Sequence, residues 1–583
     1  MFRKEARQLR SMIDSKNISL QQIVAQGDPD ALYVVPFGGV GEFGMNCTGY
    51  VSGGQLFIVD CGLMFPDPTK LGVDSLILDL DEHISSFGGV SGYIITHGHE
   101  DHLGALPFVA QRWPAQIFGT AWTIEVLKSK LERQSRSSLG ALCEVVRPGD
   151  LTSFDKISFE WVHVNHSIPM TCALAIRTPH TVVFHTGDFK FDLETEHEAV
   201  ANLPRIAAIG AEGVAALLCD STNASTPRVG PNERNVRDAL RSEIATAPST
   251  VFVSTFSSNL WRILTLIEIC QELSKKLLVL GSGMKRVMEI ASSLGLLPEN
   301  LDCLVEETVI SRVKRKDLVV VLTGCQGEPG SALQRIANGE SRHIALKEND
   351  TVIFSSRVIP GNEIKILAIQ GICAKMGVRV VTHRTNPNIH SSGHACAPEI
   401  EQMIKSLNPK FLVPVHGTDI HLQANSGIGF EVLGQAGVVQ ASDGMVLRIE
   451  SQSVSIAGQV ATPRLFVDSW SQVPMPLEVL RDRLRIGSAG LAIATGTITR
   501  QGSWICPLTV DLIGLPLPAN FSQDPWLSGL SGKISQLVSD ASGQGPGVAI
   551  ELNEATRLLI RKSFLQILKK KPPVVSKLFI SDL

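Results

Sequence analysis

Short apolar runs that end at a polar residue recur along the chain from Leu32 onward. Examples are Leu56–Val59 before Asp60, Tyr93–Thr96 before His97, Val182–Thr186 ahead of Asp188, and Phe411–Val415 before His416. Such runs, bounded by turn residues, are typical of buried strands that carry polar groups at their ends. Between them, Trp122–Arg133 places apolar residues at helical spacing. The mixture predicts an α/β or α+β sandwich rather than a helical bundle.

A second alternating segment, residues 228–385, contains almost no histidine and differs chemically from its flanks. We interpret it as a domain inserted into the first one. The predicted order is an N-terminal extension (1–30), a first domain in two parts (31–227 and 386–450) around the inserted domain (228–385), a linker (451–476) and a C-terminal domain (477–583).

Composition excludes several classes of protein. The 583 residues are 44% hydrophobic and 19% charged, which excludes a disordered, collagen-like or coiled-coil chain. The formal charge of −4 shows no basic footprint for nucleic acid, although a metal cluster can hold a polyanion on a neutral protein. Met1–Arg10 lacks the apolar stretch of a secretory signal, and the eleven cysteines form no C-x-x-C pair. We therefore expect a soluble cytoplasmic protein.

The histidines locate the chemistry. All 15 fall between His83 and His421, so the last 162 residues contain none. Any reaction that uses imidazole therefore belongs upstream, and the C-terminal region is predicted to be a support or partner domain.

The run His97-Gly98-His99-Glu100-Asp101-His102 directly follows a predicted strand. Four potential ligands in six residues cannot share one face of a helix or a strand. In a loop that starts a helix they can reach two adjacent metals instead. Neutral imidazole and carboxylate are ligands that Zn²⁺ or Mn²⁺ takes.

Further ligands must come from other strand ends, and His166, Asp188 and His416 are the candidates. Taken singly, each is more often a satisfied core or turn residue. Together they complete a dinuclear centre in which Asp188 could bridge both ions. Asp60 is predicted to be an outer carboxylate that orients a ligand.

The order of these residues resembles the motif series of the metallo-β-lactamase fold. Later stretches narrow the resemblance to the β-CASP nucleases and, within them, to the bacterial ribonuclease J family. It spans about residues 32–420 and rests on Gly38–Asn46, Leu71–Asp74, Asn165–Met170, Thr186–Asp192, Asp220–Ala224, Thr323–Pro329, Ser355, Ile359–Glu363 and Ser392–His394.

The resemblance implies an αββα metallo-β-lactamase sandwich with an inserted β-CASP domain and a small α+β C-terminal domain. It implies one zinc on His97, His99 and His166 and another on Asp101, His102 and His416, bridged by Asp188. Mn²⁺ or Mg²⁺ could serve in their place. A metal-bridging hydroxide would attack the phosphodiester.

The resemblance also implies roles around the metals. The catalytic residues would be Asp101, His394 as general acid, and Asp220, which orients His394. Substrate contacts would come from Ser257, Ser258, Asn259, His390, Ser391, Ser392, Gly393 and His394. For Asp220 an ordinary turn or cap is the alternative, and for Ser257 to Asn259 a helix cap. Asp468 would be a peripheral calcium ligand.

The implied activity is 5′-to-3′ degradation of 5′-monophosphorylated single-stranded RNA, with internal cutting as a further activity, in mRNA decay and rRNA maturation. A homodimer or homotetramer within an RNA-decay complex would be the assembly. The alternatives are a catalytically weak partner subunit and a small-molecule hydrolase. The filled ligand positions disfavour the first alternative, and the Ser392–His394 motif disfavours the second.

Overall fold

The computed structural model describes residues 19–66, 73–192, 194–195, 197–359, 361–468, 473–540 and 548–581. The chain divides into two compact units, Met1–Met64 with Ile77–Arg464, and Phe65–Leu76 with Leu465–Leu583. Residues 1–18 of the predicted N-terminal extension lie outside the described residues. Among the described residues, no helix is long and apolar enough to cross a membrane.

A large sheet and a smaller sheet form the sandwich of the first unit. The large sheet has the spatial order Ser453–Gln459, Met445–Glu450, Leu32–Gly38, Cys47–Ser52, Gln55–Val59, Gly92–Ile95, Ile117–Thr120 and Cys143–Val146. The smaller sheet has the order Phe411–Val415, Ala216–Asp220, Val182–His185, Cys172–Arg177, Ser158–His163 and Leu151–Ser153. Both contribute to one apolar core, for example Phe57 from the large sheet and Trp161 from the smaller one. The edge strand Ser453–Gln459 falls inside the stretch predicted as a linker.

Helices and short elements connect the strands of the chain up to residue 464. The helices of the first unit are Leu20–Gln26, Asp81–Ser86, Glu100–Leu103, Leu106–Arg112, Ala121–Arg133, Leu203–Ala211, Glu233–Thr246, Leu260–Glu272, Ser282–Ser293, Ala332–Ala337, Glu363–Lys375, Ala397–Leu407 and Asp419–Leu433. The 3₁₀ segments are Ser137–Leu142, Ile310–Arg312, Arg315–Asp317, Pro387–Ile389 and Gln435–Gly437, and the short strands are Val40–Gly41, Ser75–Leu78 and Gly417–Thr418.

The chain leaves the smaller sheet after Ala216–Asp220 and returns to it at Phe411–Val415, a parallel neighbour of the strand it left. Between these points lies a parallel sheet in the order Lys276–Leu280, Leu318–Leu322, Val251–Ser254, Thr351–Phe354 and Arg379–Val381. Helices cover both of its faces, which explains fully buried apolar strands such as Leu318–Leu322. The predicted α/β sandwich with an inserted domain is therefore confirmed.

The second unit is a small α+β structure, as predicted. Leu491–Thr499 pairs antiparallel with Trp504–Ile513 and parallel with Val574–Ser581. The helices Gln523–Asp540 and Val548–Leu568 contribute to the same core as these strands. The unit also contains the helix Leu477–Ala489 and an antiparallel pairing of Phe466 with Met475, from Arg464–Val467 and Pro474–Met475.

Candidate metal centre and active site

The functional side chains stand where strands end. Parallel strands that lie side by side place their carboxyl ends at one edge of a sheet. In the large sheet, Gln55–Val59 and Gly92–Ile95 run parallel and lead to Asp60 and to the His97 run. In the smaller sheet, the strands that lead to Asp188, Asp220 and His416 are parallel neighbours.

The His97 run changes direction between its ligands. His99 has extended backbone at the N-terminus of the short helix Glu100–Leu103, whereas His102 lies inside that helix. The run therefore supplies candidate ligands to two clusters. One contains His97 and His99, and the other contains Asp101 and His102.

The first cluster consists of three imidazoles and a carboxylate. The Nδ1 atom of His99 lies 3.1 Å from His97 Nε2 and 3.0 Å from His166 Nε2. Asp188 Oδ2 lies 3.5 Å from the Nε2 atoms of both His97 and His166. Convergence of three ring nitrogens on one carboxylate oxygen is the donor set that Zn²⁺ takes in proteins.

The second cluster contains two imidazoles and two carboxylates. Asp188 Oδ1 lies 3.1 Å from His102 Nε2 and 3.6 Å from His416 Nδ1. Asp101 Oδ2 lies 3.7 Å from His102 Nε2 and 3.5 Å from His416 Nε2. Asp188 thus faces the first cluster with one oxygen and the second with the other.

Two of these atoms lack ordinary partners, which fits a metal centre. His416 Nε2 is buried and has no hydrogen-bond partner among the described residues. Asp188 Oδ1 accepts no hydrogen bond there either, although it lies close to His102. Buried polar atoms are nearly always satisfied in proteins, so lone pairs left facing one another indicate a bound cation.

The two clusters differ electrostatically. Burial lowers the pKa of His97 and His166 and brings the pKa of His99 to about 4, so these rings are neutral and able to bind metal. Burial opposes protonation of His102 and His416 as well, but nearby carboxylates, chiefly Asp188, raise the pKa of both, to about 10 for His416. The second cluster therefore has the more negative electrostatic environment.

An oxygen atom lies at hydrogen-bond distance from the Nδ1 atom of each of four candidate ligand rings. Asp60 Oδ2 lies 2.7 Å from His102 Nδ1, and Thr96, itself bonded to Asp60, lies 3.0 Å from His97 Nδ1. The carbonyl of Gly393 accepts a 2.6 Å bond from His166 Nδ1, and Asp220 Oδ1 lies 3.1 Å from His416 Nδ1. An acceptor at Nδ1 keeps the hydrogen there and leaves Nε2 for the metal.

Asp220 holds two histidines at once. Its Oδ2 lies 2.8 Å from His394 Nδ1, while its Oδ1 contacts His416 and accepts hydrogen bonds from the backbone and hydroxyl of Thr222. Asp220 also takes part in an ordinary turn, the alternative role expected from the sequence, because Thr222 donates hydrogen bonds to this carboxylate. The same carboxylate nevertheless connects a candidate acid to a candidate ligand.

The segment from His390 to His394 lies against the metal centre. Ser392 Oγ accepts hydrogen bonds from Asn223 Nδ2 at 2.7 Å and from the His394 amide at 3.2 Å. Ser391 is buried and its hydroxyl accepts from Lys190 Nζ at 3.2 Å. Burial and neighbouring cations lower the pKa of His390 well below its usual range.

The structure gives different surroundings to Ser257, Ser258 and Asn259. Asn259 is buried and caps the helix Leu260–Glu272 through its side chain, which is the cap alternative. Ser258 Oγ lies 3.4 Å from His99 Nε2 and so contacts a candidate ligand ring. Ser257 is half-buried and lies beside Gly283.

Asp468 lies in the second unit. Its Oδ2 is 2.9 Å from Nη2 of Arg483, so a cation of the chain itself neutralises this carboxylate.

Sequence reasoning did not assign a site role to Asn46, Thr96 or Thr222. The side-chain nitrogen Nδ2 of Asn46 lies 3.0 Å from His102 Nε2 and 3.4 Å from Asp101 Oδ2. Thr96 and Asn46 stand beside predicted site residues, at a strand end and at the end of the glycine-rich stretch. Their place next to predicted site residues is the sequence signal that could have identified them.

The fold and the centre together define the class of metallo-β-lactamase-fold hydrolases that carry a β-CASP domain. Residues 72–209 match the Beta-lactamase superfamily domain, residues 248–371 match the β-CASP domain of ribonuclease J, and residues 377–425 match the Zn-dependent metallo-hydrolase RNA specificity domain.

The chain is 34% identical to ribonuclease J of Sinorhizobium meliloti over 94% of its own length and 96% of that relative. It is 33% identical to ribonuclease J of Mycobacterium tuberculosis over 85% and 87% of the two chains. A crystal structure of a protein of unknown function from Enterococcus faecalis V583 matches 72% of this chain and all of that one, with a TM-score of 0.51 and 15% identity, and supports the fold alone.

The chain belongs to the ribonuclease J family. It is a metal-dependent ribonuclease, and RNA is its substrate.

Proposed function

We propose that this ribonuclease degrades single-stranded RNA from a 5′-monophosphate end, releases mononucleotides in the 5′-to-3′ direction, and also cuts internally. The main support is the position of the His390–His394 segment. Its Gly393 carbonyl contacts the candidate ligand His166, and its His394 contacts Asp220. A phosphate held by this segment would lie beside the metal centre rather than in a separate groove.

We propose two zinc ions per chain, one on His97, His99 and His166 and the other on Asp101, His102 and His416, with Asp188 shared. Bound there, they would supply Lewis acidity toward the phosphate and a water nucleophile at neutral pH. The protein holds the rings at fixed angles through Asp60, Asp220 and the Gly393 carbonyl. Such orienting partners typically change metal affinity roughly 10–100-fold when removed.

His394 is proposed as the general acid. Asp220 accepts from its Nδ1 at 2.8 Å, so Nε2 is the nitrogen left to deliver a proton to the leaving 3′ oxygen. The carboxylates of Asp220 and Asp188 oppose the effect of burial and raise the pKa of His394. The imidazolium form, which donates the proton, is thereby favoured.

Ser392 is proposed to bind the terminal phosphate. Its oxygen already accepts from Asn223 and from the His394 amide. A hydroxyl that accepts two hydrogen bonds still carries one hydrogen of its own. That hydrogen can be donated to an anionic phosphate oxygen. Ser257, Ser258 and His390 are proposed to line the same path of the RNA.

We also propose domain boundaries at residues 31–227, 228–385, 386–450 and 477–583, and a cytoplasmic location. The proposed assembly is a homodimer or homotetramer in an RNA-decay complex, and Asp468 is proposed to bind calcium. The ion pair of Asp468 with Arg483 competes with the last of these.

One RNA prepared with a 5′ monophosphate, triphosphate or hydroxyl, and labelled at that end, tests the mode of action. We expect early release of labelled mononucleotide, fastest from the monophosphate. Equal rates on all three ends, or long labelled fragments as the first products, would contradict the exonuclease proposal.

A further inference from the structure

Two buried basic residues and one half-buried glutamate form a connected group behind the His390–Ser392 segment. The Oε2 atom of Glu233 accepts from Arg262 Nη2 at 2.9 Å, and its Oε1 lies 3.7 Å from Lys190 Nζ. Arg262 is fully buried, and Lys190 is 6% exposed. We call these three residues the charged clamp.

The Arg262 end of the clamp holds the residue before His390. Its Nη1 donates to the Ile389 carbonyl at 3.3 Å and also contacts Ser355 Oγ. Ser355 Oγ donates to the same carbonyl at 2.7 Å. Two donors from the inserted domain therefore fix one peptide group.

The Lys190 end holds the residue after His390. Lys190 Nζ donates to Ser391 Oγ at 3.2 Å and to Asp192 at 3.1 Å. Its backbone N–H donates to the Asn165 carbonyl at 2.9 Å. Lys190 thus belongs to the Asp188 loop and is tied to the residue preceding His166.

The two ends of the clamp come from different domains. Arg262 and Glu233 lie in the first turns of the helices Leu260–Glu272 and Glu233–Thr246, whereas Lys190 lies on a loop of the metal centre. Ion pairs that are buried this deeply are weak sources of stability, because desolvation offsets their attraction. In some proteins such pairs instead specify one arrangement over others.

We infer that Arg262, Glu233 and Lys190 are positioning residues that set where His390, Ser391 and Ser392 stand relative to the metal centre, and so set the selectivity for the 5′ end. This inference rests on the proposed function. An end-binding pocket produces mononucleotides only if its distance from the reacting centre is fixed. The clamp binds the residue before His390 from the inserted domain and the residue after it from the metal-centre loop. These two contacts fix that distance.

Two variants test the two ends of the clamp. Arg262→Lys keeps the charge but loses the planar fork that reaches Glu233 and Ile389 together. Ser391→Ala removes only the hydroxyl that Lys190 holds, and the fold should tolerate it. Arg241→Gln is the control, because Arg241 pairs with Glu272 across the same two helices at the surface, where it is 49% exposed.

For each protein, kcat and KM are measured on the monophosphate and hydroxyl forms of one RNA, together with metal content. We expect both variants to lower the preference for monophosphate by about tenfold or more, the effect of losing a hydrogen bond to a charged group. The change should appear mainly in KM on the monophosphate RNA. Metal content should stay at the wild-type value, and Arg241→Gln should behave as wild type.

The outcomes separate this inference from the proposed function. If the wild type prefers the monophosphate and both variants retain that preference, the clamp does not position the pocket, and the exonuclease proposal stands. If the wild type shows no preference, the proposed end selectivity is wrong and the inference fails with it. A uniform loss of kcat on both RNAs would assign the clamp a purely structural role.

Discussion

The two candidate metal clusters share Asp188 but differ in electrostatic character. The first offers three rings, on His97, His99 and His166, whose pKa values burial lowers. The second offers two rings, on His102 and His416, whose pKa values the surrounding carboxylates raise. Similar candidate ligands within one centre therefore have different affinities for protons, and we expect different affinities for metals.

The difference indicates that the two positions have different roles. Imidazole-rich positions suit Zn²⁺, whereas carboxylate-rich positions also accept harder ions such as Mn²⁺ and Mg²⁺. The second cluster is also the one connected through Asp220 to His394. We therefore expect the first position to be the tighter zinc site and the second to be coupled to proton transfer.

Asp188→Asn should have the largest effect, because one carboxylate faces both clusters. The amide keeps the size but loses the charge, so both positions should weaken together. We expect loss of detectable turnover and of both metals, measured by activity and elemental analysis. Asp155→Asn, at an exposed turn, is the control. Near-normal metal content in Asp188→Asn would contradict the shared role.

His99→Ala should empty the first position and spare the second. Turnover should be abolished while the circular dichroism spectrum stays native, because His99 lies at the start of a one-turn helix and outside the apolar core. Metal content should fall to about half that of the wild type. His180→Ala, at an exposed turn, should change nothing. Loss of all metal would mean that the positions are not separable.

His394→Ala should leave both positions loaded. Loss of a general acid typically costs roughly 10²–10⁴-fold in rate. We expect a fall in kcat of this size with unchanged zinc content, measured on the same preparation. Zinc loss would show that His394 is a ligand and that the second position extends further than proposed.

Gly393→Ala should weaken only the first position. A Cβ atom there would stand 2.8 Å from ring atoms of His166, and the ring would have to move. We expect zinc affinity at that position to fall roughly 10–100-fold, the range for lost orienting groups. Gly230→Ala is the matched control, because a Cβ atom at Gly230 meets nothing within 4 Å. Equal affinity in the two variants would show that His166 does not depend on this segment.

The inserted domain and the gathering of strand-end residues could be predicted from sequence, because buried parallel strands give apolar runs with polar residues at their ends. The contact from the Gly393 carbonyl to His166 could not, because a backbone carbonyl carries no sequence signal. Asn259 fits a substrate contact and a helix cap equally well as a residue type, and only the structure shows the cap. The roles of Arg262 and Lys190 likewise depend on contacts between distant segments.

Another limit lies in the C-terminal unit. The sequence of residues 514–547 is rich in Gly, Pro and Ser, yet Gln523–Asp540 is a helix. Its residues Leu530, Ile534 and Val538 are buried at helical spacing despite Gly529 and Gly532. Tertiary burial here outweighs the low helix propensity of glycine.

We expect each chain to hold two different metal positions joined by Asp188. The most direct test is the number of zinc ions per chain after zinc supplementation and removal of loosely bound metal, followed by titration of the zinc back out with a chelator. We expect two ions that leave in separate steps, with the three-histidine position last. One ion or fewer, or two that leave together, would show that the chain does not hold two different positions.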